Sequence, residues 1–419
     1  MFIRHFMLIS MLMFSAGYAQ QQQPAASKSL SMEEAISTAL NINPEIKASK
    51  EKINSASGRL WSGISLPSPE ISLDYEYIPS GQPLTSFSER TFSITQPVEF
   101  PTNYFLRRAK FTDERMIAET ELNQTELSVV SKVKEAYYEA LSKQEELKLA
   151  KENLAIAEDF RKKAEIRFNT GEATHLERLT AKVQYSEALN NLNIRQNELK
   201  SLLAELNYAM GFGQDSQPES YFLSDSLSFD GADYSLDKLF EAASRSNSQL
   251  KISELRLNAS SVERTLAWTS LLPSFSLSYF NQSRDGISGF YGASLGVTVP
   301  LWFMFDQKGK IQEAEANKSI AESELRSAKN EFYLKVNNAF NAYQIADKQV
   351  RLYQSDILPE AEEVYRAASR SYEAGEITYV EFLQAKQTVI SSRSNYINSL
   401  LSYNQAVISL EEAVGKRLK

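Results

Sequence analysis

Two periodicities alternate along the chain, and each occurs twice. From Val133, apolar residues recur every seven positions at Val133, Ala140, Leu147 and Leu154, with Ala136, Ala150, Ala157 and Ala164 as a wall of small residues beside them. In the second half the same phase returns as Val336, Tyr343, Val350, Ile357 and Val364, with Ala339, Ala346 and Ala367 in the small positions. A spacing of seven lines these residues up along one stripe of a helix, the seam of a coiled coil. Between the helical runs the period falls to two. Ile71, Leu73, Tyr75 and Tyr77 alternate with Ser72, Asp74 and Glu76, and Phe92 and Ile94 with Ser93 and Thr95. Phe275, Leu277 and Tyr279 alternate with Ser276 and Ser278, and Tyr291, Ala293, Leu295, Val297, Val299 and Leu301 with Gly292, Ser294, Gly296 and Thr298. Alternation puts apolar side chains on one face of a strand and polar ones on the other, which predicts two strand pairs.

Unrelated landmarks repeat at nearly the offset of Val133 and Val336: Pro97 and Pro300, Gly171 and Gly375, Gly211 and Gly415. The chain therefore reads as a tandem duplication. The closest match joins Phe168 to Thr174 with Tyr372 to Thr378, each around a glycine where a helix must turn and come back. The predicted organisation is a leader over 1–19, a spacer over 20–29, repeat 1 over 30–212, a linker over 213–234 and repeat 2 over 235–419. Repeat 1 carries a strand pair over about 70–99 and a helical hairpin over about 104–210. Repeat 2 carries them over about 274–302 and 305–414. Each repeat opens with a short helix, at Ser31-Met32-Glu33-Glu34 and at Ser235-Leu236-Asp237-Lys238. A second helix follows, over 44–66 and 249–271. At ~1.5 Å per residue the outgoing helix 104–168 spans about 97 Å and the return 175–210 about 54 Å, a difference that the helix before the strands would fill. That helix and the return helix are predicted to stack end to end beside the long one. Pro359 lies in the second outgoing helix, which is predicted to kink there.

Composition narrows the function. Met1 to Ala19 has a basic start, an apolar core from Phe6 to Phe14 and an A-x-A-like site, the pattern of a secretory leader. No later apolar run is long enough for a spanning helix, so membrane contact would have to come from strands. The chain has no cysteine, two histidines and a formal charge of −8, which disfavours nucleic acid as a partner. With His5 in the leader, His175 is the sole remaining imidazole, and no nucleophile, cofactor site or metal cluster assembles from the motifs. Asp225, Asp230 and Asp233 lack the glycine and terminal glutamate of a calcium loop and are expected in a solvated linker.

The strands have the length and aromatic content of membrane-barrel strands, although a half-buried soluble sheet alternates in the same way. Export and very long helices favour the barrel. Four strands cannot close one, and an open edge in lipid leaves backbone groups unpaired, so closure demands several chains. Alternation would then turn Leu73, Tyr75, Leu295 and Val297 to lipid, and Asp74, Ser276 and Thr298 to water. An exported periplasmic coiled-coil structural or adhesive protein is the alternative, but it has no use for duplicated strand pairs.

The order leader, short helix, helix, strand hairpin and long helical hairpin, repeated once, resembles the TolC-type outer-membrane efflux protein family. Gln96-Pro97-Val98-Glu99-Phe100-Pro101, Val299-Pro300-Leu301-Trp302 and the two glycine tips carry the resemblance. Ile357-Leu358-Pro359-Glu360-Ala361-Glu362 is similar to the heavy-metal efflux branch. The resemblance implies a mainly α fold with a small β part, assembled as a homotrimer with a β-barrel in the outer membrane and an α-helical barrel across the periplasm. It implies a duct without chemistry of its own, docked on a periplasmic adaptor and through it on an inner-membrane pump, for efflux or type I secretion. Gly171, Glu172, Thr174, Gly375, Glu376 and Thr378 become the expected docking set. The family narrows its entrance near the second tip, often with acidic residues. Counting back from Gly375 matches that position to Arg366, with Arg370 nearby and Glu360, Glu362 and Glu363 above it. Pro359 becomes the candidate hinge.

Overall fold

The seven-residue seams fold as helices and the alternating segments as strands. The computed structural model describes residues 28–213, 221–301 and 304–418. The leader, nearly all of the spacer, residues 214–220 of the linker and Trp302 lie outside the described residues. The first half contains strand β1 (Lys28–Leu30), helices α1 (Met32–Ile42) and α2 (Pro44–Gly63), strands β2 (Glu70–Glu76) and β3 (Glu89–Val98), and helices α3 (Thr102–Asn169) and α4 (His175–Met210). The second contains β4 (Tyr221–Leu223), α5 (Leu236–Ser246), α6 (Ser248–Thr269), β5 (Ser274–Arg284), β6 (Ile287–Thr298), α7 (Asp306–Leu352), α8 (Leu358–Glu373) and α9 (Tyr379–Val414).

Helix starts follow from their caps. Ser31 accepts from the Glu34 amide while the Glu34 carboxylate accepts from the Ser31 amide, a capping box that opens α1. Asn43 caps α2 with Pro44 at its first position. The same Asn43 donates its side-chain amide to the Ala209 carbonyl at 3.2 Å, and Asn247, capping α6, donates to the Ala413 carbonyl at 3.2 Å. Each short helix thus starts where a return helix stops, stacked end to end as the lengths predicted. Gly211 and Gly415 end α4 and α9 at φ +99° and +81°. A Cβ on Gly211 would lie 2.7 Å from the Asn43 Cα, and one on Gly415 2.8 Å from the Ser246 carbonyl oxygen. Only glycine permits both the conformation and the junction.

α3 packs against α2 and α4 on one flank and against α6 and α9 on the other, and α6 and α9 pack in turn against α7 and α8. Period-seven alanines allow these close approaches: Ala150, Ala157 and Ala164 on α3 are buried, as are Ala314, Ala321 and Ala328 on α7. Two cores form near the stacking junctions, one around Tyr137, Leu141, Leu206 and Met210 under α1, the other around Val336, Tyr403, Leu410 and Val414 under α5.

Several expectations are corrected. α2 stops at Gly63 rather than 66, where the close approach of the Phe111 ring leaves no space for a Cβ. The second outgoing helix changes its winding just before Pro359. A π-helical turn, Tyr353–Ile357, precedes it and α8 continues. The wider turn inserts one residue into the helical count. Past it the seam moves by one: Val364 is 49% exposed, whereas Ala361 is buried and Tyr365, Ala368 and Tyr372 are partly buried. The linker acids are not simply solvated. Asp225 accepts from the Met32 amide and the Tyr137 hydroxyl, both at 2.7 Å, and Asp230 accepts from the Tyr403 hydroxyl. The linker is also tied by a parallel pair of β1 with β4, which the sequence pattern did not anticipate.

Candidate functional site: strand sheet and helical tips

The sheet runs β2-β3-β5-β6, antiparallel throughout, with β2 and β6 at its edges. Its register makes each face continuous. Ile71, Leu73 and Tyr75 share a face with Phe92 and Ile94, then Phe275, Leu277 and Tyr279, then Tyr291, Leu295 and Val297. The opposite face carries Ser72, Asp74, Thr91, Ser93, Thr95, Ser276, Ser278, Ser294 and Thr298, with Phe280 packed over Gly292. Its hydroxyls pair across strands, Ser72 with Ser93 and Thr95 with Ser278, each at 2.8 Å. The apolar face is exposed in the single chain, including Leu73, Tyr75, Leu295 and Val297. Asp285 and Gly286, at φ +47° and +79°, form the two-residue turn between β5 and β6. An Asp-Gly pair between alternating runs is a hairpin signal that was legible in the sequence.

At the other end of the long helices lie the two tips, built alike. The Glu172 amide donates to the Arg167 carbonyl and the Glu376 amide to the Ser371 carbonyl, both at 2.8 Å, around Gly171 at φ +80° and Gly375 at φ +75°. These are Schellman closures, in which glycine supplies the left-handed residue. Thr174 and Thr378 then cap the return helices, accepting from the amides of Glu177 and Glu381. Gly171, Glu172, Thr174, Gly375, Glu376 and Thr378 are all exposed, as is His175 beside Phe168.

The tips of one chain touch. Arg167 donates to the Tyr372 hydroxyl at 2.9 Å and to Glu177 at 3.3 Å, and the Tyr372 hydroxyl donates to Glu177 at 3.0 Å. Burial, then the Glu177 carboxylate, pushes the Tyr372 phenol up to about 12. Phe160 stacks on Tyr379 with ring centroids 4.5 Å apart and on Phe382 at 5.5 Å. One turn further along α9, Lys386 is 7% exposed with no ion pair among the described residues, and burial holds its ammonium below the usual lysine range. No sequence motif marked this aromatic cluster, because its members come from three helices.

The candidate entrance residues divide. Glu363, Arg366 and Arg370 lie along one exposed stripe of α8, with Arg366 on Glu363 at 2.8 Å. Glu362 leaves that stripe and pairs with Arg393 of α9 at 3.0 Å. Among the described residues no acidic or imidazole cluster could hold a metal, and no helix is long and apolar enough to cross a membrane.

The sequence profile of outer membrane efflux proteins matches this chain twice, over residues 35–212 and 239–416. The chain belongs to the outer membrane efflux protein family. It is an efflux channel protein of the outer membrane that extends into the periplasm, in a family of channels rather than enzymes, and the adhesive coiled-coil alternative is set aside. It is 23% identical to the cobalt-zinc-cadmium resistance protein CzcC of Cupriavidus metallidurans, over 92% of this chain and 90% of that protein. The outer membrane protein VceC of Vibrio cholerae superposes with a TM-score of 0.74 at 16% identity, covering 93% of this chain and 97% of that one. The MtrE outer membrane channel of Neisseria gonorrhoeae, solved in its open state, gives 0.72 at 15% identity over 93% and 89%. The efflux protein thus has the duplicated fold of these channels.

Proposed function

We propose that three copies of this efflux protein close into one duct, with Leu73, Tyr75, Leu295 and Val297 against lipid and the hydroxyl-rich face around water. The observation that carries this reading is the sheet: a continuous apolar face bounded by edge strands β2 and β6, whose outer edges pair with no strand among the described residues. A lone sheet would leave both edges unsatisfied in a bilayer, and pairing β6 of one copy with β2 of the next satisfies them. The helices are open in the same way, with α4 and α7 uncovered on their outer flanks. Exposed Leu176, Leu179 and Val183 on α4, and Leu334, Ile345 and Leu352 on α7, mark those flanks.

The tips, two per chain, offer a periplasmic adaptor a repeated surface of Gly171, Glu172 and Thr174 with Gly375, Glu376 and Thr378. An inner-membrane pump acts through that adaptor. Glu363, Arg366 and Arg370 of α8, with Glu362 on its flank, line the entrance, and the π-turn before Pro359 lets the second hairpin move while α3 stays as a frame. The name of CzcC favours divalent metal cations as cargo. Cysteines at Glu172 and Glu376 should cross-link to the adaptor, and cysteines tying α8 to a neighbouring copy should block export without preventing assembly. Normal export with that hairpin locked would refute the gating scheme. A deletion strain that shows no sensitivity to cobalt, zinc or cadmium would refute the metal cargo.

A further inference from the structure

Inside one chain, repeat 1 meets repeat 2 where α3 lies against α6 and α9. Three charge pairs cross that contact: Lys110 of α3 with Glu263 of α6, Lys134 of α3 with Glu411 of α9 at 2.5 Å, and Glu152 of α3 with Arg393 of α9 at 3.6 Å, of which the first two have polar counterparts. The duplication assigns each of these positions a counterpart. The outgoing helices α3 and α7 correspond at an offset of 203, fixed by Val133 and Val336, until the π-turn adds one residue. The stacked helices and the return helices correspond at 204, fixed by Asn43 and Asn247 and by Gly211 and Gly415. The counterparts of Lys110 and Glu263 are therefore Glu313 on α7 and Arg59 on α2. Those of Lys134 and Glu411 are Asn337 on α7 and Asn207 on α4.

We propose that these four residues recognise a second copy of this chain: Arg59 and Asn207 of one copy meet Glu313 and Asn337 of the next. The inference rests on the closed assembly proposed above and adds which residues specify its order. In the first pair the charges are exchanged yet remain complementary. In the second an ion pair is replaced by two amides, each able to donate and accept. In the single chain Arg59 and Glu313 are exposed, Asn337 donates one amide hydrogen to the Tyr333 carbonyl at 2.8 Å, and Asn207 is buried. Glu313 is exposed and makes no ion pair among the described residues, and Arg59 has only Glu114, at 3.8 Å. Asn207 is 7% exposed, and neither its amide nitrogen nor its oxygen has a partner among the described residues. A buried amide without partners costs stability unless something supplies them.

The exchange also rejects wrong orders. Two copies docked through the same open flank would set Arg59 against Arg59, or Glu313 against Glu313. Like charges face each other in both, whereas alternation of the repeats sets Arg59 against Glu313. The strands agree independently. Carrying the β3–β5 register to the closing seam, with Pro97 on Pro300 and Ser68 on Ser274 as landmarks, sets Val297 opposite Leu73 and Leu295 opposite Tyr75. Apolar then meets apolar and Thr298 meets Ser72, whereas a slip of one residue would invert the faces.

The absence of cysteine in the chain makes the test direct. With Arg59→Cys and Glu313→Cys in one chain, a short bis-maleimide should give dimer and trimer bands in extracted membranes. Lys110→Cys with Glu263→Cys should react within the chain and run as monomer. Oxidised Leu73→Cys with Val297→Cys should also give trimer. Separately, Glu313→Arg should lower the trimer fraction several-fold at low salt, and adding Arg59→Glu should restore it. A trimer by light scattering that links through Leu73 and Val297 but not through Arg59 and Glu313, or a double charge swap no better than the single, would overturn the pairing. A particle that is not a trimer would overturn the assembly beneath it.

Discussion

Lys386 sits where α3, α4 and α9 meet, among Phe160, Gln184, Tyr379 and Phe382. Its folded pKa is lowered by burial alone, so the unfolded chain binds the proton more tightly. Stability therefore rises with pH across the window between the lowered folded value and the ordinary lysine value. Lys386→Met should remove that dependence and stabilise the tip region by about 1 kcal/mol, read as a higher melting temperature in detergent. Tyr372 behaves oppositely. Its neutral phenol is held up to about 12, so its contribution is intact below the unfolded value of 10 and is lost as pH rises from there through about 12. Tyrosine absorbance followed through that range should show a late-titrating phenol that Tyr372→Phe abolishes. The same variant forfeits the bonds to Arg167 and Glu177, at a cost of about 1 kcal/mol. A normal titration in the wild type would contradict the buried tip contact.

At the scale of elements, two glycine classes separate by their surroundings. Gly171 and Gly375 need only a left-handed backbone, since a Cβ there meets nothing within 4 Å, so alanine should cost about 1 kcal/mol. Gly211→Ala adds a collision with the Asn43 backbone and should cost several-fold more in denaturant titrations. The helices and strand pairs were legible because their apolar residues repeat over many turns, and the stacking of α2 on α4 was legible from lengths alone. β1 and β4 were not, because three residues carry no period. The π-turn was half-written in the sequence: the repeat offset grows from 203 at Val133 and Val336 to 204 at Gly171 and Gly375. The extra residue needed somewhere to go, and it enters as the wide turn just before Pro359. Deleting Ser355 should therefore convert Tyr353–Ile357 to regular helix and raise its hydrogen-exchange protection, whereas Pro359→Ala should leave the turn in place because the seam beyond it stays out of phase. The tip glycines could be read from sequence, but the contact of Arg167, Glu177 and Tyr372 could not, since it joins residues from both repeats.

For the whole molecule, the faces of the sheet make opposite demands. Leu295→Arg near mid-membrane should cost about 2–4 kcal/mol of insertion, while Thr298→Lys, on the hydroxyl face, should be tolerated. Equal loss of inserted protein in both variants would mean that the faces are misassigned. The central claim, that this chain is one third of a conducting duct, is tested most directly by extracting it from outer membranes and recording it in a planar bilayer. The account predicts a trimeric particle with discrete single-channel conductance. A monomeric elongated rod that does not conduct would contradict it.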